Sequence, residues 1–174
     1  MPRKNRVLSV VVSGAGPAAD VGSLVKQARD RGWTVQVIAT PSALAFFDAA
    51  AVEALTGSPV RSTHRAPGTP RSMVPDAIIV APATFNVLNQ WALGIADSYA
   101  LAVLAEQTGM GIPTVVLPCV SGPLASRPQF VRSLKVLRAE GVSVLLDPHG
   151  ATDGDFPWRL ALDEAAEMTG FGAA

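Results

Sequence analysis

The chain has 174 residues, enough for a single domain spanning 1–174 at the usual scale of roughly 150 residues each, and is 49% hydrophobic but only 16% charged. Lysine plus arginine balance aspartate plus glutamate at 14 each, so no net field recruits nucleic acid or an anionic membrane. One cysteine excludes an internal disulfide and a multi-cysteine zinc site, no metal is expected, and no apolar run approaches the roughly 20 residues that span a bilayer.

In chain order, the first strand is expected over Val7–Val12, behind a basic start from Met1 to Arg6 that carries no signal-peptide cleavage pattern. That start reads as cytoplasmic. A small-residue loop, Ser13 to Ala19, leads into a helix whose Val21, Leu24, Val25 and Ala28 share one face and stop at Gly32. Strands follow at Thr34–Ala39 and Ala77–Ala81, separated by a proline- and glycine-rich segment, Thr56 to Pro75, too long for an ordinary connection. Two more strands are expected at Thr114–Leu117 and Val142–Leu146, with a helix between them carrying Phe130, Leu134 and Leu137 and ending at Gly141. After a second loop from Asp147, Pro157 opens a last helix with Trp158, Leu162 and Ala165 on one face. Each strand is apolar on both faces, the mark of a parallel sheet covered on both sides. The fold class is α/β: a doubly wound parallel sheet, a Rossmann-like three-layer sandwich. The tryptophans are expected in the core, with Trp91 also a candidate for a subunit contact, because so small a stock of charge suits a homo-oligomer.

Ligands of such sheets bind beyond the carboxyl ends of the strands. Small and hydroxyl-bearing residues dominate there: Ser13, Gly14 and Ala15 after the first strand, Thr40 and Ser42 after the second, Pro82 to Asn86 after the third, Cys119 and Ser121 after the fourth. They allow close backbone approach and offer amides and hydroxyls to a phosphate. Gly14 to Ala19 loosely matches the dinucleotide fingerprint, yet the second strand ends in Thr40 and Ser42 rather than in an acidic residue for a ribose. No Walker lysine follows the first loop, which argues against nucleoside triphosphate hydrolysis. Cys119 and His149 both follow strand ends and would support nucleophilic chemistry if they met; the plainer reading of Cys119 is a buried, inert thiol.

The stretch Pro82-Ala83-Thr84-Phe85-Asn86-Val87, the element Gly94-Ile95-Ala96-Asp97-Ser98 and the turn Thr40-Pro41-Ser42-Ala43 are the most specific patterns in the chain. Together with the opening glycine loop, they resemble the flavin-dependent cysteine decarboxylase family, over a region from about Val7 to Gly141. The resemblance implies bound FMN in a homotrimer or trimer-based assembly. The phosphate would be held by the loop of Ser13, Gly14 and Ala15 with Thr40 and Ser42, and the ring would lie by Pro82, Ala83 and Thr84, with Asp97, Ser98 and Ala100 contributing. It also assigns the substrate carboxylate to Asn86, whose amide can donate a hydrogen bond without neutralising it. Three departures stand out. Gly68 occupies the family's catalytic-histidine position, leaving His64, four residues earlier, as either the replacement for proton handling or a solvated loop histidine; the substrate clamp is degenerate over Pro118 to Ala125, leaving Cys119 and Ser121 on the substrate side; and Asp147 to Pro157 replaces the glycine-rich C-terminal segment of the pantothenate-pathway enzymes. The expected reaction is oxidative decarboxylation of a cysteine-like thiol or of a peptide's C-terminal cysteine. Alternatives are an FMN-binding protein without decarboxylase activity and a flavin prenyltransferase-like protein.

Overall fold

In β1 (Arg6–Val12), every residue from Leu8 to Val12 is buried, and only parallel pairing between two helical layers can bury both faces of such a strand. The computed structural model describes residues 5–145 and 156–171, and in it β1 lies inside a five-stranded sheet of order β2-β1-β3-β4-β5, parallel throughout. The other strands are β2 (Trp33–Ala39), β3 (Ala77–Ala83), β4 (Thr114–Pro118) and β5 (Ser143–Val144). This order makes a flavodoxin-type α/β sheet, with the reversal in connection direction between β1 and β3.

One face of the sheet packs against α1 (Val21–Asp30), α2 (Ala49–Thr56) and α7 (Trp158–Thr169); the other packs against α3 (Phe85–Ala92), α4 (Tyr99–Gly109) and α6 (Pro128–Ala139). The alternation of strand side chains divides the core in two. Val10, Val12, Ile79 and Leu117 enter the first layer, and Val11, Ile78, Val80 and Val116 the second. The helical faces foreseen at Val21, Leu24, Val25 and Ala28, at Phe130, Leu134 and Leu137, and at Trp158, Leu162 and Ala165 are all buried.

Two expectations need correction. Pro157 is the residue before α7 rather than its first, with ψ of 57°. The fifth strand is only Ser143–Val144: Val142 is turned into the second core and Leu145 N–H still reaches Val116 O at 2.9 Å, while Leu146 lies outside the described residues. An edge strand with one partner needs few residues to be held. The loops after β1 and β2 each contain a 3₁₀ turn, Gly16–Asp20 and Pro41–Ala45, with a proline in its first two positions. Trp91 lies in the core, as expected of the tryptophans: it is 4% exposed and its Nε1 donates to Thr108 Oγ1 at 3.0 Å.

The long connection after α2 is used by the fold. Gly57, in the left-handed region at φ 71°, ends α2, and the chain then runs beside the outer edge of β2. Arg61 N–H donates to Val37 O at 3.0 Å and Ala39 N–H to Arg61 O at 2.8 Å, which covers an otherwise open strand edge. Gln36 Nε2 holds the far side of the loop at Met73 O, 2.8 Å, and Asp76 Oδ2 accepts from Val7 N–H at 2.8 Å. Among the described residues, no helix is long and apolar enough to cross a membrane, and no group of three His, Cys, Asp or Glu side chains is placed to hold a metal ion.

Candidate functional site

The crevice at the carboxyl edge of the sheet is built from loops that touch one another. Ser13 ends β1 and is 1% exposed; both its N–H and its Oγ donate to Pro82 O, at 3.2 and 2.6 Å, and its Oγ accepts from Thr84 N–H at 2.9 Å. The serine therefore splices the β1 and β3 loops across the topological switch point, and its hydroxyl proton is committed to that joint. Ala15 N–H is likewise engaged, with Ser13 O at 2.9 Å.

Gly14 makes the second contact. A Cβ at this position would lie 2.9 Å from Ser42 Oγ and 3.3 Å from Phe46 Cε2, so the first and second loops meet only because residue 14 has no side chain. Beside it, Thr40 Oγ1 and Ser42 Oγ stand 3.2 Å apart, and Thr40 N–H is anchored to Val12 O at 2.9 Å. Neither Gly14 N–H nor Ser42 N–H has an acceptor among the described residues. Two free amides and two hydroxyls converging on one spot fit a phosphate ester, which supplies several acceptor oxygens at once.

The third loop forms the opposite wall. The Ala81–Pro82 peptide is cis, and the β3–β4 register shifts between Val80 and Ala83, where Pro82 has no N–H to offer the ladder. Thr84 caps α3, accepting from Val87 N–H at 3.4 Å, and this places Asn86 in the first turn, exposed and with no hydrogen bond to the described residues. The helix beneath it is pinned twice: Ser133 Oγ of α6 donates to Asn89 Oδ1 at 2.7 Å, and Phe85 stacks on Phe130 with centroids 6.1 Å apart. Asn86 is thus a free amide on a rigid support.

The remaining expected residues separate. Asp97 is exposed and accepts only long contacts from Gln90 Nε2, 3.4 and 3.5 Å; Ser98 caps α4 by accepting from Leu101 N–H at 3.3 Å. Ala100 is 1% exposed and packs inside the second core. Cys119 sits where β4 leaves the sheet, its N–H bonded to Ala83 O at 2.8 Å, and burial pushes its thiol above the ordinary value. That shift favours the protonated, less reactive form, and the proposed partner His149 lies outside the described residues. Ser121 is exposed just before the short helix α5 (Gly122–Ala125).

His64 has no ring contact or hydrogen bond with Asn86 among the described residues. It stands edge-to-face against Tyr99, with centroids 5.4 Å apart, and lines a separate cleft of about 860 Å³ between the long loop and α4. Sequence reasoning missed Tyr99, whose position directly after Ser98 was the available signal. It also missed Phe46, an exposed aromatic four residues beyond Ser42 that touches the Gly14 corner.

The family model described as Flavoprotein matches residues 1–168. The chain belongs to the Flavoprotein family. Among curated relatives, the coenzyme A biosynthesis bifunctional protein CoaBC of Mycobacterium tuberculosis is 33% identical over 165 residues, covering 92% of this chain and 39% of that protein. The CoaBC protein of Mycolicibacterium smegmatis is 30% identical over 174 residues, covering 97% and 41%. The chain therefore spans about two-fifths of the length of these relatives. Among solved structures, the cypemycin decarboxylase CypD superposes with a TM-score of 0.77 at 25% identity, over 98% of this chain and 97% of that one. TvaF, an FMN-dependent cysteine decarboxylase from thioviridamide biosynthesis, gives 0.78 at 22% identity, over 96% and 99%. At that identity the second likeness speaks for the Flavoprotein fold alone.

Proposed function

We propose that this Flavoprotein-family chain works as a single domain that binds FMN and oxidatively decarboxylates a cysteine-like thiol substrate or a peptide's C-terminal cysteine. The observation that carries the reading is the switch-point crevice itself: the Gly14–Ser42 contact with its two free amides on one side and the unengaged amide of Asn86 on the other. The chain's likeness to the cypemycin decarboxylase CypD and to CoaBC proteins supports it.

Gly14, Thr40 and Ser42 hold the phosphate, and Pro82, Ala83 and Thr84 form the wall along which the ring lies; Ser13 acts behind them by fixing the distance between the two loops. Bound FMN supplies a two-electron acceptor for oxidation of the thiol-bearing carbon. Asn86 Nδ2 donates to the substrate carboxylate and orients it while leaving its charge intact, as departure of carbon dioxide requires. His64, braced by Tyr99 beside Ser98, takes up the substrate proton. Exposed apolar side chains, among them Phe46, Leu93 and Ile95, support a homotrimer or trimer-based assembly, and the cytoplasm is the proposed setting.

The test is direct. Protein purified with FMN and incubated with cysteine-ended peptides is followed by mass for loss of carbon dioxide and two hydrogens. His64→Ala is expected to lower that turnover on the order of a hundredfold, as loss of a general acid–base group does. Undiminished turnover sinks the assignment of His64. A second reading, FMN binding without decarboxylation, is favoured by the exposed Gly68 in the family's histidine position and by α5, which presents Leu124 where the family places its clamp. Tight FMN binding with no mass loss on any thiol would establish it.

A further inference from the structure

We infer that the cleft between the loop of residues 57–75 and α4 is a substrate subsite for an extended peptide carrying an acidic side chain close to its C-terminal cysteine. The inference rests on the decarboxylase reading above and adds the substrate class that the same site selects.

Shape comes first. The cleft has a volume of about 860 Å³, a floor from Ser9, Gln36 and Ile38 of the sheet, and one wall running along α4 from Tyr99 to Met110. Eleven helical steps extend about 17 Å, the length of roughly five residues in extended conformation. A compact thiol would leave most of it empty, whereas a peptide would fill it.

Charge comes second. Arg61, Arg65, Arg71 and His64 all line the cleft from the loop side. The facing wall has no cation to share and one anion, because residues 77–126 contain no lysine or arginine and Glu106 is the acidic residue of that stretch that reaches the cleft. Arg61 and Arg65 are oriented by bonds to backbone carbonyls, Pro70 O at 3.1 Å and Thr69 O at 2.9 Å, and Arg71 has no hydrogen bond or ion pair among the described residues. None of the three guanidinium groups forms an ion pair among the described residues, so a bound carboxylate would meet cationic groups that no protein carboxylate holds within salt-bridge distance.

Place comes third. Arg61 is bridged to Ile38, two residues before Thr40, and His64 leans on Tyr99, directly after Ser98. The cationic end of the cleft is therefore tied to the chain two residues before Thr40 and one residue after Ser98, both rim positions. At the other end the lining is Gln107 of α4 and Met110.

The experiment uses the FMN-loaded protein and pentapeptides ending in cysteine that differ only by glutamate, glutamine or lysine two residues before it. The glutamate peptide is expected to show a KM roughly three- to tenfold below the glutamine peptide, with the ratio shrinking at high salt. Arg71→Glu is expected to reverse the order in favour of the lysine peptide. In parallel, the same peptides ending in serine, which cannot react, are titrated calorimetrically against both proteins. Equal KM values, or a preference that Arg71→Glu leaves in place, overturn the subsite. Preference for a phosphorylated non-peptide thiol over every peptide overturns the peptide assignment. If no cysteine peptide turns over but the glutamate–serine peptide still binds more tightly in an arginine-dependent way, the decarboxylase reading fails and the subsite stands.

Discussion

Ser13 donates its hydroxyl proton to the Pro82 carbonyl at 2.6 Å, and the same oxygen accepts the Thr84 N–H at 2.9 Å. One buried side chain thereby ties the strand that begins the crevice to the strand that faces it. Ser13→Ala leaves the Thr84 N–H without its partner, which is expected to cost about 1–3 kcal/mol. Denaturant unfolding of the flavin-free protein should show a lower midpoint at unchanged slope, and FMN affinity should fall in step as the loops separate.

Gly14→Ala separates the cofactor site from the fold. The added methyl meets Ser42 Oγ at 2.9 Å, but residue 14 has no left-handed backbone to protect, so the loops move apart without unfolding the sheet. Fluorescence titration is expected to show FMN binding weakened about tenfold or more, a loss near 1.4 kcal/mol. Thermal unfolding of the flavin-free chain should shift little. A variant that binds FMN as well as the parent would remove Gly14 from the cradle.

For Asn86 the expected split is between catalysis and stability. The side chain is exposed and unbonded, so Asn86→Ala should leave unfolding free energy within about 0.5 kcal/mol. Turnover should fall on the order of a hundredfold with FMN retained, because orientation of the carboxylate is lost at the reacting centre. Asn86→Asp is expected to be worse, since like charges would meet.

Burial raises the Cys119 thiol above its ordinary value, and the sign of the consequence follows. The folded state keeps the proton to higher pH than the unfolded chain, so this group's contribution to stability is complete below the unfolded pKa and is lost as pH rises through the folded one. Alkylation with iodoacetamide should be slower in the native protein than in urea at the same alkaline pH, and Cys119→Ala should flatten the alkaline decline in stability. Equal rates in the two states would show an open, unperturbed thiol.

The strands most easily read were those buried on both faces. Val10, Val11 and Val12 are apolar whichever way they point, so the parallel core was visible without knowing which helix covers them. β5 was misjudged because an edge strand is held by one neighbour, and neither Val142 nor Leu145 reveals in sequence which neighbour that is. The rim was legible as a set of small and hydroxyl-bearing residues, but their division of labour was not. Ser13 and Ser42 look equivalent along the chain; one lies on the buried side of its loop and the other on the open side.

By itself, the order of residues determined that strands and helices alternate, that the strands are sandwiched, and that phosphate-friendly turns follow them, because those properties depend on neighbours within a few positions. Tertiary structure alone decided that Ser13 meets Pro82, that Gly14 meets Ser42, and that His64 leans on Tyr99 beside three arginines rather than on Asn86. Each of these contacts joins residues 28 to 69 positions apart, and local chemistry carries no information about which distant segment will arrive.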